Sequence, residues 1–130
     1  MIFLLGQGNS FAQEFNGYDE LTVEMRNPKI GMMELMVAIE DQEAYLSVKD
    51  LFDYLRIKNE AEENSKVITG FLLHPDATFR INPVQSQIVF KDETYQLTAS
   101  DFIQTPTTLY LRSNYFGKIF ALNTEKPPST

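Results

Sequence analysis

Apolar residues along this chain follow two rhythms. In Ala44–Lys58, AYLSVKDLFDYLRIK, they recur at i, i+3 and i+4, so that Val48, Leu51, Phe52 and Leu55 share one helical face. The arrangement returns 65 positions later in LYLRSNYFGKIFALN. There Tyr45-Leu46 falls on Tyr110-Leu111, Leu51 on Phe116, Tyr54 on Ile119, Leu55 on Phe120 and Ile57 on Leu122. Each copy reads as a short strand running into an amphipathic helix, Val48 to about Arg56 in the first and Ser113–Leu122 in the second. Ser47 suits an N-cap, and Asp50 three residues later gives an S-x-x-D capping box. Gly117 inside the second helix costs about 1 kcal/mol relative to alanine, which points to close packing there.

The second rhythm is strict alternation, the mark of half-buried strands. Glu20–Arg26 places Leu21, Val23 and Met25 on one face, and Met33–Glu40 does the same with Leu35, Val37 and Ile39. Asn27-Pro28 through Gly31 turns between them, and Asp41-Gln42 turns into the first strand–helix copy. Val67–Leu73 resumes strand character, with Gly70 at a bulge position. After the turn at His74-Pro75-Asp76, the segments Thr78–Asn82, Gln87–Lys91 and Thr94–Leu97 form an antiparallel meander, with hairpins at Pro83–Ser86 and Asp92-Glu93. Thr98–Phe102 carries a Thr98-x-x-Asp101 cap signal and reads as one helical turn, and Gln104–Thr108 leads into the second copy. The predicted fold is α+β: a small, mostly antiparallel sheet with two repeated strand–helix units packed on it.

The ends read differently. Met1–Gln13, MIFLLGQGNSFAQ, has a short apolar run followed by Ser10-Phe11-Ala12, and Ala12|Gln13 resembles a signal-peptidase site, so residues 1–13 are expected to be the remnant of an export signal or a disordered tail. Residues 14–19 form a lead-in, 20–122 a single domain, and 123–130, NTEKPPST, a tail without periodicity.

At 130 residues the chain suits one domain, and 43% hydrophobic residues with 10 Phe and 6 Tyr can fill a core. The net charge of −7 repels nucleic-acid phosphates, which argues against an electrostatically driven nucleic-acid binder. With no cysteine, disulfides and thiolate metal sites are excluded. No apolar run approaches the roughly 18–20 residues of a spanning helix.

Candidate chemistry is sparse. Met32, Met33 and Met36 lie close in sequence but read as gap-filling packing rather than a soft-metal site. Asn59–Lys66, NEAEENSK, carries Glu60, Glu62 and Glu63 without the alternation of a calcium loop, and reads as a solvated excursion. His74, the single histidine, stands two residues from Asp76, but no nucleophile motif accompanies it, so it reads as a loop residue. No catalytic, cofactor-binding or metal-ligating residue is assigned, and no enzyme activity is expected. Tyr18, Tyr95 and Tyr110 would support carbohydrate contact if they lined up on one exposed face.

Three stretches, YLSVKDLFDYLRIK, DATFRINPVQSQIVFKDETYQL and LYLRSNYFGKIFALN, together resemble the N-terminal periplasmic-type region of usher-like outer-membrane proteins from Bacteroidetes. The strand–helix pairs are also similar to the small repeated stalk domain named after copper amine oxidases, which implies no copper here, because one histidine cannot build a multi-histidine site. The resemblance implies an exported, non-enzymatic interaction or structural module in the periplasm or at the outer membrane. Its partners would be surface or fimbrial subunits or the remainder of a parent chain, with neither nucleic acid nor a membrane span in this chain. The alternative is a surface stalk, spacer or carbohydrate-contacting domain. Proteins of this pattern continue after the second helix with an apolar strand. NTEKPPST stands in that place here, so the chain is expected to be a truncated piece of a longer protein.

Overall fold

The computed structural model describes residues 3–4, 17–62 and 66–122. The expected cleavage site at Ala12, the residue Glu63 and the tail 123–130 lie outside the described residues. Two antiparallel sheets make up most of the structure. The first has the order β1 (Phe3–Leu4), β2 (Asp19–Asn27), β3 (Gly31–Glu40), β4 (Glu43–Ser47), β11 (Leu109–Arg112), β10 (Phe102–Gln104). The second is a sequential meander of β5 (Lys58–Ala61), β6 (Ile68–Phe71), β7 (Thr78–Asn82), β8 (Gln87–Phe90) and β9 (Glu93–Gln96). Between them in the chain lie α1 (Val48–Tyr54), which follows β4, and a 3₁₀ turn at Ala99–Asp101, which leads back to the first sheet. After β11 comes α2 (Asn114–Phe120).

This corrects the α+β expectation. The protein is mostly β, closer to a sandwich of two sheets than to one sheet carrying two strand–helix units. The helices are seven residues each, about two turns. Two strands stand where the sequence pattern shows connections. Lys58–Ala61 has no apolar alternation and falls largely in the stretch read as a charged loop, yet it pairs along its whole length with Ile68–Phe71. Phe102–Gln104 is likewise a strand, because Thr105 Oγ1 accepts the N–H groups of Thr107 and Thr108 (3.2 and 2.9 Å) and folds the chain into a hairpin with β11.

Local chemistry accounts for the turns. Asn27 Oδ1 accepts the N–H groups of Lys29 and Ile30 (2.8 and 3.2 Å) and starts the β2–β3 turn. Asp41-Gln42 and Lys91-Asp92 are two-residue hairpin turns with positive φ at both positions, 51° and 68° in the first and 54° and 68° in the second. That conformation matches the twist of the flanking strands. Gly70 is not a bulge, since β6 stays in register through it with Asn59 on one side and Phe79 on the other. Its role is close approach: a Cβ there would overlap the Lys58 carbonyl and come within 2.8 Å of Phe79 Cζ.

The core fills the space between the sheets. Val23, Leu35, Val37, Leu46 and Leu111 come from the first sheet, and Phe79, Ile81, Ile88 and Phe90 from the second. The helices are the middle of the packing. Leu51 and Phe116, equivalent in the two copies, are both fully buried. Phe52 of α1 meets Phe79, Phe116 and Phe120 edge-on at 5.1–5.9 Å, and Phe120 of α2 reaches Phe79 and Phe90. Ser47 Oγ caps α1 through Asp50 N–H (3.2 Å), as expected. The Asp50 carboxylate instead accepts Met36 N–H (3.0 Å), at the place where β4 has turned into helix and can no longer extend the ladder. Among the described residues no helix is long and apolar enough to cross a membrane.

Candidate functional site

The residues singled out in the sequence do not converge. Met33 faces Met25 across the β2–β3 pair, whereas Met32 and Met36 lie on the opposite face of β3, Met36 accepting the Thr22 hydroxyl at 3.5 Å. His74 is exposed and makes no ion pair with Asp76. Among the described residues no group of three or more His, Cys, Asp or Glu is arranged to hold a metal ion. The tyrosines form no exposed strip. Tyr110 is fully buried, with its hydroxyl donating to Glu20 Oε2 (2.7 Å), and both burial and this neighbour push its phenol far above the ordinary value. Tyr18 is half-buried near it on the first sheet, and Tyr95 stands on the second sheet with its hydroxyl on Glu93 Oε1 (2.9 Å).

A polar cluster surrounds Arg112, and only its Thr98–Asp101 part is visible in the sequence as a cap signal. Its guanidinium donates to Asp101 Oδ1 (3.0 Å) and the Ser100 carbonyl (3.1 Å), pairs with Glu43 Oε1 (3.0 Å), and stacks over the Tyr45 ring at 5.0 Å. Asp101 Oδ2 also accepts the backbone N–H and hydroxyl of Thr98 (2.9 and 3.1 Å). Burial alone would raise the Asp101 pKa, but these hydrogen bonds and the Arg112 charge outweigh it and hold the carboxyl below its usual range. Burial alone would lower Arg112, and its bonds to Asp101 and Glu43 keep it above its ordinary value. The cluster ties the 3₁₀ turn to β4 and β11. Its groups satisfy one another, which is the behaviour of a structural clasp.

An open concave surface lies where the helix ends meet the second sheet. A cleft of about 1080 Å³ separates the C-terminal ends of both helices from the ends of β6 and β8 and the start of β9. Its floor is apolar: Phe90, Ile119 and Phe120 are buried there, and Leu55, Ile57 and Leu122 leave part of their surface open. Matched positions of the two copies frame it, Leu55 with Phe120 and Ile57 with Leu122. Both helices stop at matched residues in the left-handed region, Arg56 (φ 61°) and Ala121 (φ 62°). After Arg56 the bonds Arg56 N–H to Asp53 O (3.0 Å) and Ile57 N–H to Phe52 O (2.8 Å) close a Schellman ending.

On the lip stands Leu73, 87% exposed and also left-handed (φ 68°), with His74 N–H bonded to the Leu72 carbonyl (2.7 Å) across it. A three-residue turn of this kind around a bulky side chain is strained, by about 1–3 kcal/mol. Three cations line the cleft: Arg56, Lys58 and Lys91, the last with its ammonium 5.3 Å over the Phe90 ring. None of the three makes an ion pair among the described residues. One carboxylate, Glu93, lines the cleft, and it already accepts the Tyr95 hydroxyl. Such an arrangement can hold an apolar chain segment and attract negative charge.

Beside the cleft runs the free edge of β9. The hairpin register pairs Phe90 with Glu93 and Ile88 with Tyr95, and Leu97 N–H bonds Ser86 O (2.8 Å), so the backbone groups of Thr94 and Gln96 face away from β8. No strand covers that edge among the described residues. Sequence reasoning missed this site because its walls come from four separated segments. No protein-family model matches the chain, and comparison with curated proteins and with solved structures finds no significant match.

Proposed function

We propose that this chain is a non-enzymatic protein-interaction module of the bacterial cell envelope that receives an extended segment of another exported chain. The observation that carries the reading is the unpaired outer edge of β9 opening beside a large apolar cleft. An added strand gains affinity from main-chain hydrogen bonds to such an edge, and pockets beside it sort the side chains. The likeness of the meander and the two strand–helix stretches to usher-like N-terminal regions supports the envelope setting and partners of the surface- or fimbrial-subunit class.

The test is calorimetric titration of the full chain with synthetic segments of exported subunits, repeated with Thr94→Pro. Proline removes an N–H that points outward, so the sheet keeps its internal ladder while the edge loses a donor. The expected result is binding that Thr94→Pro weakens by about tenfold or more, with an unchanged circular dichroism spectrum. Binding to none of the segments, or binding indifferent to the proline, would overturn the reading.

A further inference from the structure

We infer that the cleft selects extended segments whose cleft-facing positions carry both carboxylates and bulky apolar side chains, an inference that rests on the docking role proposed above. The argument begins with charge. The chain carries a net −7, so an acidic ligand is repelled by the surface as a whole. At the cleft the balance inverts, with Arg56, Lys58 and Lys91 set against Glu93. None of the three is neutralised by a carboxylate among the described residues, so their charge is open to a ligand. Beside them the half-buried Leu55, Ile57 and Leu122 leave apolar surface that an aromatic or aliphatic side chain can cover.

The shape favours a peptide over a small amphiphile. At about 1080 Å³ the cleft lies just above the roughly 300–1,000 Å³ typical of small-ligand pockets, and it is continuous with the start of β9 through Glu93 and Tyr95. Leu73 supports the same occupant. Its strained turn holds a bulky apolar side chain, 87% exposed, at the lip of the cleft, where a bound segment can cover it. In an extended segment on the β9 edge, side chains at every second position project to the same side, so that face can set carboxylates among the cations and apolar groups on the floor.

The experiment uses the full chain and two synthetic peptides of about eight residues, the length of a typical strand. In one, Phe and Asp take turns at every second position with serine between them, and in the other asparagine replaces each aspartate. The aspartate peptide is expected to bind at least about tenfold tighter at low salt. That advantage should vanish in the triple variant Arg56→Asn, Lys58→Gln, Lys91→Gln. All three positions are exposed, and asparagine tolerates the left-handed backbone at position 56. Equal affinity for the two peptides, or an advantage that survives the triple variant, would overturn the inference. If both peptides bind equally and Thr94→Pro abolishes both, the docking role stands and the charge selection falls. If neither peptide binds while subunit segments still bind in a Thr94→Pro-sensitive way, the charge selection again falls alone. If nothing binds, both fall.

Discussion

Asp101 shows what one side chain does for this sandwich. Its carboxylate collects hydrogen bonds from Thr98 N–H, the Thr98 hydroxyl and Arg112 Nε. These outweigh the cost of burial and depress its pKa. A depressed carboxyl contributes stability that is fully present above its unfolded value, near 3.9, and is lost as the pH falls through the lower folded value. Asp101→Asn is therefore expected to cost about 2 kcal/mol near neutral pH, where a charged partner is lost from a half-buried arginine. The gap should close as the pH drops below about 4, since the wild type then loses the same interaction. Urea unfolding at neutral and acid pH measures both limbs, and a cost that stays constant with pH would contradict the assignment. The Thr98–Asp101 half of this cluster was legible as a cap signal. Arg112 was not, because its three carboxylate and carbonyl contacts come from residues 11 or more positions away.

The helices carry the next lesson. Their apolar faces and the Ser47 cap were legible in the spacing, but both helices end earlier than that spacing implies, at Tyr54 and Phe120. The apolar pattern continues past each end because Leu55, Ile57 and Leu122 are needed as cleft wall rather than as helix. Each chain reverses through a left-handed residue that is not glycine. Such a residue carries a steric cost that glycine lacks. Ala121→Gly is expected to raise stability by about 0.5–1 kcal/mol, read as a higher urea midpoint at constant slope. A lowered midpoint would mean that the α2 ending is held by contacts of the Ala121 methyl. Strand β5 makes the complementary point, since Lys58–Ala61 has no strand pattern of its own. It pairs because Gly70 lets its backbone come close and because β6 has an edge to fill.

For the molecule as a whole, the aromatic contacts around Phe52 join the two layers. Phe52 touches a ring from the second sheet and two from α2, while α1 itself lies on β3, β4 and β11 of the first sheet and against β5 of the second. Phe52→Ala is expected to cost about 3–5 kcal/mol, and Phe52→Leu, which keeps much of the volume, about 1–2 kcal/mol. In the leucine variant, hydrogen exchange should show protection falling together in β4 and β7. A loss confined to one sheet would show that the layers unfold independently.

The sequence alone determined the elements whose causes are local. Alternation set the faces of β2, β3 and the meander, paired turn residues set the hairpins, and Ser47 and Thr98 marked where turns of helix begin. An alternating strand reveals that one face is buried but not what covers it. The choice between one sheet with helices upon it and two sheets with helices between them was therefore made by long-range packing. The same holds for the cleft. Which cations lack a carboxylate, which apolar side chains remain open and which strand edge has no neighbour are properties of residues far apart in the chain. Only the folded arrangement brings them together.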